Sequence, residues 1–266
     1  MNKTILITGA TDGIGLAAAK QIAAAGHSLL IHGRNPEKLQ AAKAELSALS
    51  NSSQIETYIA DLSVLSQVEE LAQQIKAKHQ HLDALINNAG IFRTNNTVTP
   101  DGLDVRFAVN TIAPFLLTQR LLPLLKDSAR VINLSSAAQA PVNLEALSGS
   151  ARVPDMEAYS QSKLALTMWS HFLASQIPET VFVAINPGSL LATKMVKEGF
   201  GVSGKDIGIG ANILVHAALS EEFSTASGKY FDNDIGRFSK PHPDGENTSK
   251  CEAVVEAINS VLKNQP

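Results

Sequence analysis

The sequence is short of several things, and each shortage removes a class of protein. It holds one cysteine, Cys251, so no disulfide forms within the chain, and a lone thiol fits a reducing compartment. No run of about 18 uninterrupted apolar residues occurs, so no membrane-spanning helix is expected. The opening MNKTILITGA has one lysine and an apolar run that glycine ends early, too short for a signal peptide. Neither charge sign dominates: 22 Lys and Arg face 25 Asp and Glu, for a net charge of −3, without blocks of one sign. That balance argues against a basic footprint for nucleic acid or a polybasic membrane patch. Metal-ligand spacing is also missing. His79 and His81 have no companion carboxylates or cysteines at convincing metal spacing, while His171, His216 and Trp169 lie on helical patterns and read as packing or surface residues. The expectation is a cytoplasmic protein with no metal, no nucleic-acid partner and no membrane span, acting on a small molecule.

What is there is a sustained alternation. Short β-branched or apolar runs at 4–9, 28–33, 56–61, 84–90, 130–136, 180–188 and 227–232 read as seven strands. Helical periods separate them at 14–25, 36–49, 64–79, 101–125, 155–176 and 205–219, with a last one near 249–262. This is the pattern of a parallel sheet covered on both faces. Asn35 before Pro36 marks a helix start, and Ser63 with Gln67 is close to capping-box spacing. Residues 239–248, SKPHPDGENT, read as a surface loop, because too little chain follows for a second core. With 44% hydrophobic residues in 266, residues 1–266 are expected to form one domain.

The first strand runs straight into TGATDGIG, Thr8 to Gly15, and then a helical stretch. Glycines at a strand-to-helix turn let the backbone approach a pyrophosphate, which then sits on the positive end of the helix. The spacing, Gly9, Gly13 and Gly15, is GxxxGxG rather than the commoner GxGxxG. The second strand ends in Gly33 and Arg34. An acid there would hold a free ribose 2′-hydroxyl, whereas a cation suits a 2′-phosphate, so NADP(H) is favoured over NAD(H). Asp61 and the Asn87–Gly90 segment NNAG fall at the carboxyl ends of the third and fourth strands, where such sheets bind ligands. Each also has a structural reading, as a helix-turn acid or as turn asparagines.

AYSQSK, residues 158–163, places Tyr159 and Lys163 one helical turn apart. Many such pairs merely pack and snorkel. Here they come with company. TGATDGIG, DL at 61–62, NNAG at 87–90, VNTIAPFLLT at 109–118, INLSS at 132–136, YSQSK at 159–163 and NPG at 186–188 together resemble the short-chain dehydrogenase/reductase family over roughly residues 3–200. The resemblance implies an α/β fold, a Rossmann-type doubly wound sheet of about seven mainly parallel strands with helices on both faces. It implies a catalytic tetrad of Asn110, Ser136, Tyr159 and Lys163, with Ser135 as the candidate if the register slips by one. Tyr159 would act as general acid or base, drawn toward working pH by Lys163 and by a cationic nicotinamide. Ser136 would hold the substrate oxygen, and Asn110 a water linking Lys163 to solvent. The cofactor set it implies is Gly9, Thr11, Asp12, Gly13, Ile14, Gly15, Arg34, Asp61, Leu62, Asn87, Ala89, Gly90, Tyr159, Lys163, Pro187, Gly188 and Leu190. The family's threonine lies five residues after the proline, whereas Thr193 lies six after Pro187, so backbone near Leu190 is the expected contact.

Most members separate the serine and tyrosine by about a dozen residues. Here the gap is about 23, which resembles the branch containing retinol dehydrogenases and protochlorophyllide reductases. The extra chain, about 139–156, either forms a flap whose Val142, Leu144, Leu147, Val153 and Met156 face an apolar substrate, or tucks those residues onto its own domain. Residues 189–204 fall where the family's mobile lid lies. The expected activity is NADP(H)-dependent hydride transfer to or from a lipophilic carbonyl or alcohol substrate; reduction of an activated C=C bond and non-catalytic NADP(H) sensing are the alternatives. Helices near 101–125 and 155–176 are candidate surfaces for a homodimer or homotetramer.

Overall fold

A computed structural model of the chain describes residues 2–49, 54–125 and 128–264. The apolar runs form strands β1 (Thr4–Ile7), β2 (Ser28–Gly33), β3 (Ile55–Ile59), β4 (Ala84–Asn87), β5 (Arg130–Leu134), β6 (Val181–Asn186), β7 (Tyr230–Asp232) and β8 (Arg237–Ser239). Their order is β3-β2-β1-β4-β5-β6-β7-β8, parallel throughout except for the β7–β8 pair. The central strands are buried on both faces, which is why they read as continuous apolar runs rather than alternating ones. One face is covered by α3 (Leu65–Lys78), α5 (Ala113–Leu121), α7 (Asp155–Gln176) and α10 (Thr248–Lys263), the other by α1 (Gly13–Ala24), α2 (Pro36–Ser47) and α9 (Gly208–Leu219). The chain winds outward from β1 to β3 and restarts at β4 beside β1. That reversal opens a crevice at the carboxyl ends of the strands.

The sheet has eight strands where seven are expected. β8 is only three residues long and carries one aromatic, so no periodicity announces it. Phe238 holds it down by joining Phe223 and Phe231 at centroid distances of 5.2 and 5.1 Å. The stretch 101–125 is not one helix. A three-residue turn, α4 (Val105–Phe107), opens into a π-helical turn at Ala108–Ile112 before α5. Pro114 has no N–H to give the Asn110 carbonyl, and Ala113 N donates to Ala108 O instead. The wide turn aims Asn110 inward.

Asn35 caps α2 by accepting from Lys38 N at 2.8 Å, with Pro36 at the first position, as expected. The capping box at Ser63 does not form. Ser63 donates to Asp61, while Gln67 accepts from Asp61 N and Asp101 accepts from Leu65 N. Residues 239–248 are less open than a surface loop, because Pro243–Glu246 forms a short 3-10 turn packed on α7. That turn and α10 both pack on α7. No helix among the described residues is long and apolar enough to cross a membrane.

The candidate flap forms α6 (Leu144–Leu147), with Leu147 buried and Val142 and Val153 packed on the core. Only Leu144 and Met156 are exposed. Arg106, almost fully buried, ties the region together through Asp104 at 2.6 Å and Asp155, at the start of α7, at 2.7 Å.

Candidate active site

The turn from β1 into α1 brings backbone against backbone. Gly9 adopts φ 66°, and a Cβ there would fall 2.9 Å from Ala89 Cα. A Cβ on Gly15 would fall 2.4 Å from both the Gly9 carbonyl oxygen and Asn88 Nδ2. Asn88 clamps the turn by donating to Thr8 O at 2.8 Å and Gly9 O at 3.1 Å. Thr11, Asp12, Gly13 and Ile14 then line a cleft of ≈ 640 Å³, and Asp12 caps α1 through Gly13 N at 2.7 Å. Gly33 and Arg34 face the same cleft, joined by Asn35 and Lys38 from the start of α2.

His32 lines the cleft too, beneath the glycine turn. Its Nδ1 accepts from Gly9 N at 3.3 Å, which leaves Nε2 to donate to Ala60 O at 3.0 Å. Burial pushes its pKa down to about 4, so the ring that props the turn is neutral at pH 7.

Asp61, Leu62, Ala89 and Gly90 line the cleft as expected. The Asp61 carboxylate accepts from Ser63 N at 2.9 Å and Ser63 Oγ at 2.7 Å, which fixes the turn after β3. Asn87 does not face the cleft. Its side chain is buried under the sheet and donates to Asn133 Oδ1 at 2.8 Å and Thr118 Oγ1 at 3.2 Å. Strand alternation explains this: Asn87 is the last residue of β4 and points into the core, whereas Asn88 points to the glycine turn.

Tyr159 and Lys163 reach the other end of this cleft from α7. Lys163 is buried, donates to Leu134 O at 2.7 Å, and stands 5.8 Å from the centre of the Tyr159 ring. Burial lowers its pKa to about 8. The expected lowering of the tyrosine does not appear in the protein alone: burial pushes the Tyr159 phenol up, and the Ser136 hydroxyl pulls the other way. Ser136 is half-buried just past β5, and its Oγ accepts from Ala138 N at 3.1 Å. Ser135 is turned inward, with its hydroxyl against Lys163 O at 3.2 Å and Thr167 Oγ1 at 2.7 Å. Asn110 bonds both sides of Ile91, accepting from its N at 2.8 Å and donating to its O at 2.9 Å, and also donates to Ser162 Oγ.

Pro187 and Thr193 line the cleft, while Gly188 and Leu190 shape the turn behind it at φ 118° and 56°. Residues 189–204 hold α8 (Lys194–Phe200), capped by Thr193 through Val196 N at 3.2 Å, and Met195 and Lys194 also line the cleft. Ile91, Val105, Val109 and Met195 give part of the cleft an apolar wall. Phe92 packs against Tyr159 at a centroid distance of 5.1 Å.

A glycine turn, a cation after β2, and a tyrosine and lysine on α7 thus share one cleft. The model of the short chain dehydrogenase family matches residues 3–200. The chain belongs to that family. It is 35% identical to mouse retinol dehydrogenase 12 over 86% of this chain and 77% of the other. It is 31% identical to human polyprenol dehydrogenase over 88% and 77%. The structure of a short chain dehydrogenase from Escherichia coli CFT073 complexed with NADPH superposes with a TM-score of 0.72 at 27% identity, covering 88% of this chain and 97% of that one. The match places the protein among short-chain dehydrogenases of the retinol dehydrogenase-like branch, oxidoreductases acting on an alcohol or carbonyl with a nicotinamide cofactor.

The dehydrogenase's cleft fits such a cofactor. Gly9 and Gly15 leave room where side chains would block the turn, and Arg34 and Lys38 supply cations beyond it. Sequence reasoning missed His32 and Lys38. His32 sits inside an apolar strand run with nothing in its spacing to mark it, while Lys38, four residues after Arg34 at the start of a helix, was the more readable signal.

Proposed function

We propose that the protein is an NADP(H)-dependent oxidoreductase that interconverts a lipophilic alcohol and its carbonyl, with Tyr159 as general acid and base. The observation that carries this reading is that Tyr159 and Lys163 line the same cleft as the glycine turn and Arg34. Gly9, Thr11, Asp12, Gly13 and Ile14 would hold the pyrophosphate at the start of α1, with Gly15 allowing the close approach. Arg34, with Lys38 beside it, would take the 2′-phosphate. Asp61, Leu62, Ala89 and Gly90 would flank the adenosine and ribose, and Pro187 the nicotinamide. The bound cofactor supplies or accepts the hydride.

The chain's own residues then handle the proton and the charge. Negative charge develops on the substrate oxygen as its carbon is reduced. The Ser136 hydroxyl holds that oxygen, and the Tyr159 hydroxyl gives up its proton to it; oxidation runs the same transfer backwards. The Lys163 ammonium, buried beside the ring, favours the phenolate so formed. Asn110 fixes the Ile91 peptide that borders the site. A lipophilic substrate is supported by the Ile91, Val105, Val109 and Met195 wall and by relatives named for retinol and polyprenol.

The test is a panel of retinal, long-chain aliphatic aldehydes, ketones and enones with NADPH, followed by absorbance loss and product analysis. Aldehyde reduction to alcohol is expected. Tyr159→Phe should lower kcat by about 100-fold to 10,000-fold with NADPH binding retained. Turnover of enones alone, or full activity of Tyr159→Phe, would refute the reading.

A further inference from the structure

The strand that nearly closes the sheet has no part in this account, yet it reaches the loop carrying Ser136. Tyr230 on β7 is buried, and its hydroxyl donates to the Ser136 carbonyl oxygen at 3.1 Å. The same oxygen accepts from Gln139 Nε2 at 3.0 Å, and that nitrogen also lies 3.3 Å from Ser135 Oγ. Gln139 is fixed from its other end, where Oε1 accepts from His242 N at 2.9 Å.

These bonds matter because of where the sheet stops. Ser135 N donates to Ile185 O at 2.8 Å, the last ladder bond of this strand. Beyond it the peptide of Ser136 has left the sheet, and its carbonyl is held by two side chains, one from the same loop, Gln139, and one from a distant strand, Tyr230. Tyr230 is well suited to that task. Its backbone is paired on both sides, with Ala184 and with Ser239, so the phenol is delivered from a rigid strand.

We infer that Tyr230 and Gln139 are positioning residues: by fixing the Ser136 carbonyl they aim the Ser136 hydroxyl at Tyr159. The inference rests on the roles of Ser136 and Tyr159 given above. Burial, then the charges of Asp232 and Asp234, pushes the Tyr230 phenol above its ordinary pKa, so it keeps its proton and remains a donor across the working range. Ser136 in turn is the group that draws the Tyr159 phenol down, against burial. Lys163 stands over the same ring, and Phe92 packs against it. Releasing the Ser136 peptide therefore removes a pull on Tyr159 and leaves burial to raise it.

Tyr230→Phe deletes one oxygen and keeps the ring. With the fastest aldehyde from the panel, kcat should fall about threefold to tenfold, the factor carried by one neutral hydrogen bond, while the Kd for NADPH stays within about twofold. In the alcohol-oxidising direction the acid limb of the kcat/KM profile, which reports Tyr159 losing its proton, should move to higher pH. Gln139→Ala, which removes the second donor to the same oxygen, should act in the same direction and serves if Tyr230→Phe does not fold. Ser136→Ala is measured alongside. If it is impaired and adding Tyr230→Phe costs nothing more, the inference holds. If it is impaired but Tyr230→Phe and Gln139→Ala keep the wild-type kcat and pH profile, or add an independent loss, the inference falls and the role of Ser136 stands. If Ser136→Ala itself is fully active, both fall.

Discussion

Two adjacent serines with opposite orientations allow a sharp test. Ser135 is buried, and its hydroxyl bridges Lys163 O and Thr167 Oγ1. Ser135→Ala leaves no partner stranded, because Thr167 Oγ1 still bonds Lys163 O at 3.0 Å and Gln139 Nε2 still bonds Ser136 O. With every partner of the lost hydroxyl still bonded elsewhere, the net loss is about 1 kcal/mol. For a chain of this size that lowers Tm by roughly 2–4 °C. Any effect on kcat should stay below about fivefold, the factor that 1 kcal/mol carries. Ser136→Ala is the reverse case. Ser136 is half-buried, and Ala138 N can turn to water, so stability should change by no more than about 0.5 kcal/mol. The lost hold on the substrate oxygen should lower kcat about 100-fold to 1,000-fold. Thermal melts and steady-state rates on the two variants separate the effects. A Ser135→Ala enzyme with normal Tm and a hundredfold loss of kcat, beside an active Ser136→Ala enzyme, would refute the assignment.

Arg34→Asp should reverse the preference for NADPH over NADH, read as the ratio of kcat/KM for the two cofactors; an unchanged ratio would remove Arg34 from the 2′-phosphate site. Gly15→Ala places a methyl 2.4 Å from the Gly9 carbonyl, a backbone atom that cannot swing aside. It should destabilise by about 1–3 kcal/mol and abolish measurable NADPH binding, whereas tight binding by a stable variant would show that the turn is not the phosphate cradle. His32, held near 4 by burial, contributes stability that is complete above the free imidazole value of about 6.5 and lost as pH falls toward 4. The shift is worth about 3 kcal/mol. Urea titrations from pH 7 to pH 4 should show that loss in the wild type and not in His32→Gln, and parallel curves would show that His32 does not titrate in this way.

The layered α/β architecture, the approximate positions of its first seven strands along the chain, and the residues of the glycine turn, Arg34, Tyr159 and Lys163 were legible in the sequence. Those features are local: a strand buried on both faces must be apolar throughout, a turn that admits a phosphate must lose its side chains, and an i, i+4 pair must share a helix face. What no local pattern contains is which way a side chain points once the chain has left its element. Asn87 faces the core and Asn88 the glycine turn, and the Ser135 hydroxyl is tied to α7. Each of these was settled by a partner far away in sequence, Asn133 for Asn87, Thr8 for Asn88 and Thr167 for Ser135. The sequence determined the chemistry available to the cleft. The tertiary structure decided which of two neighbours presents it, because only the packed fold brings the competing hydrogen-bond partners within reach.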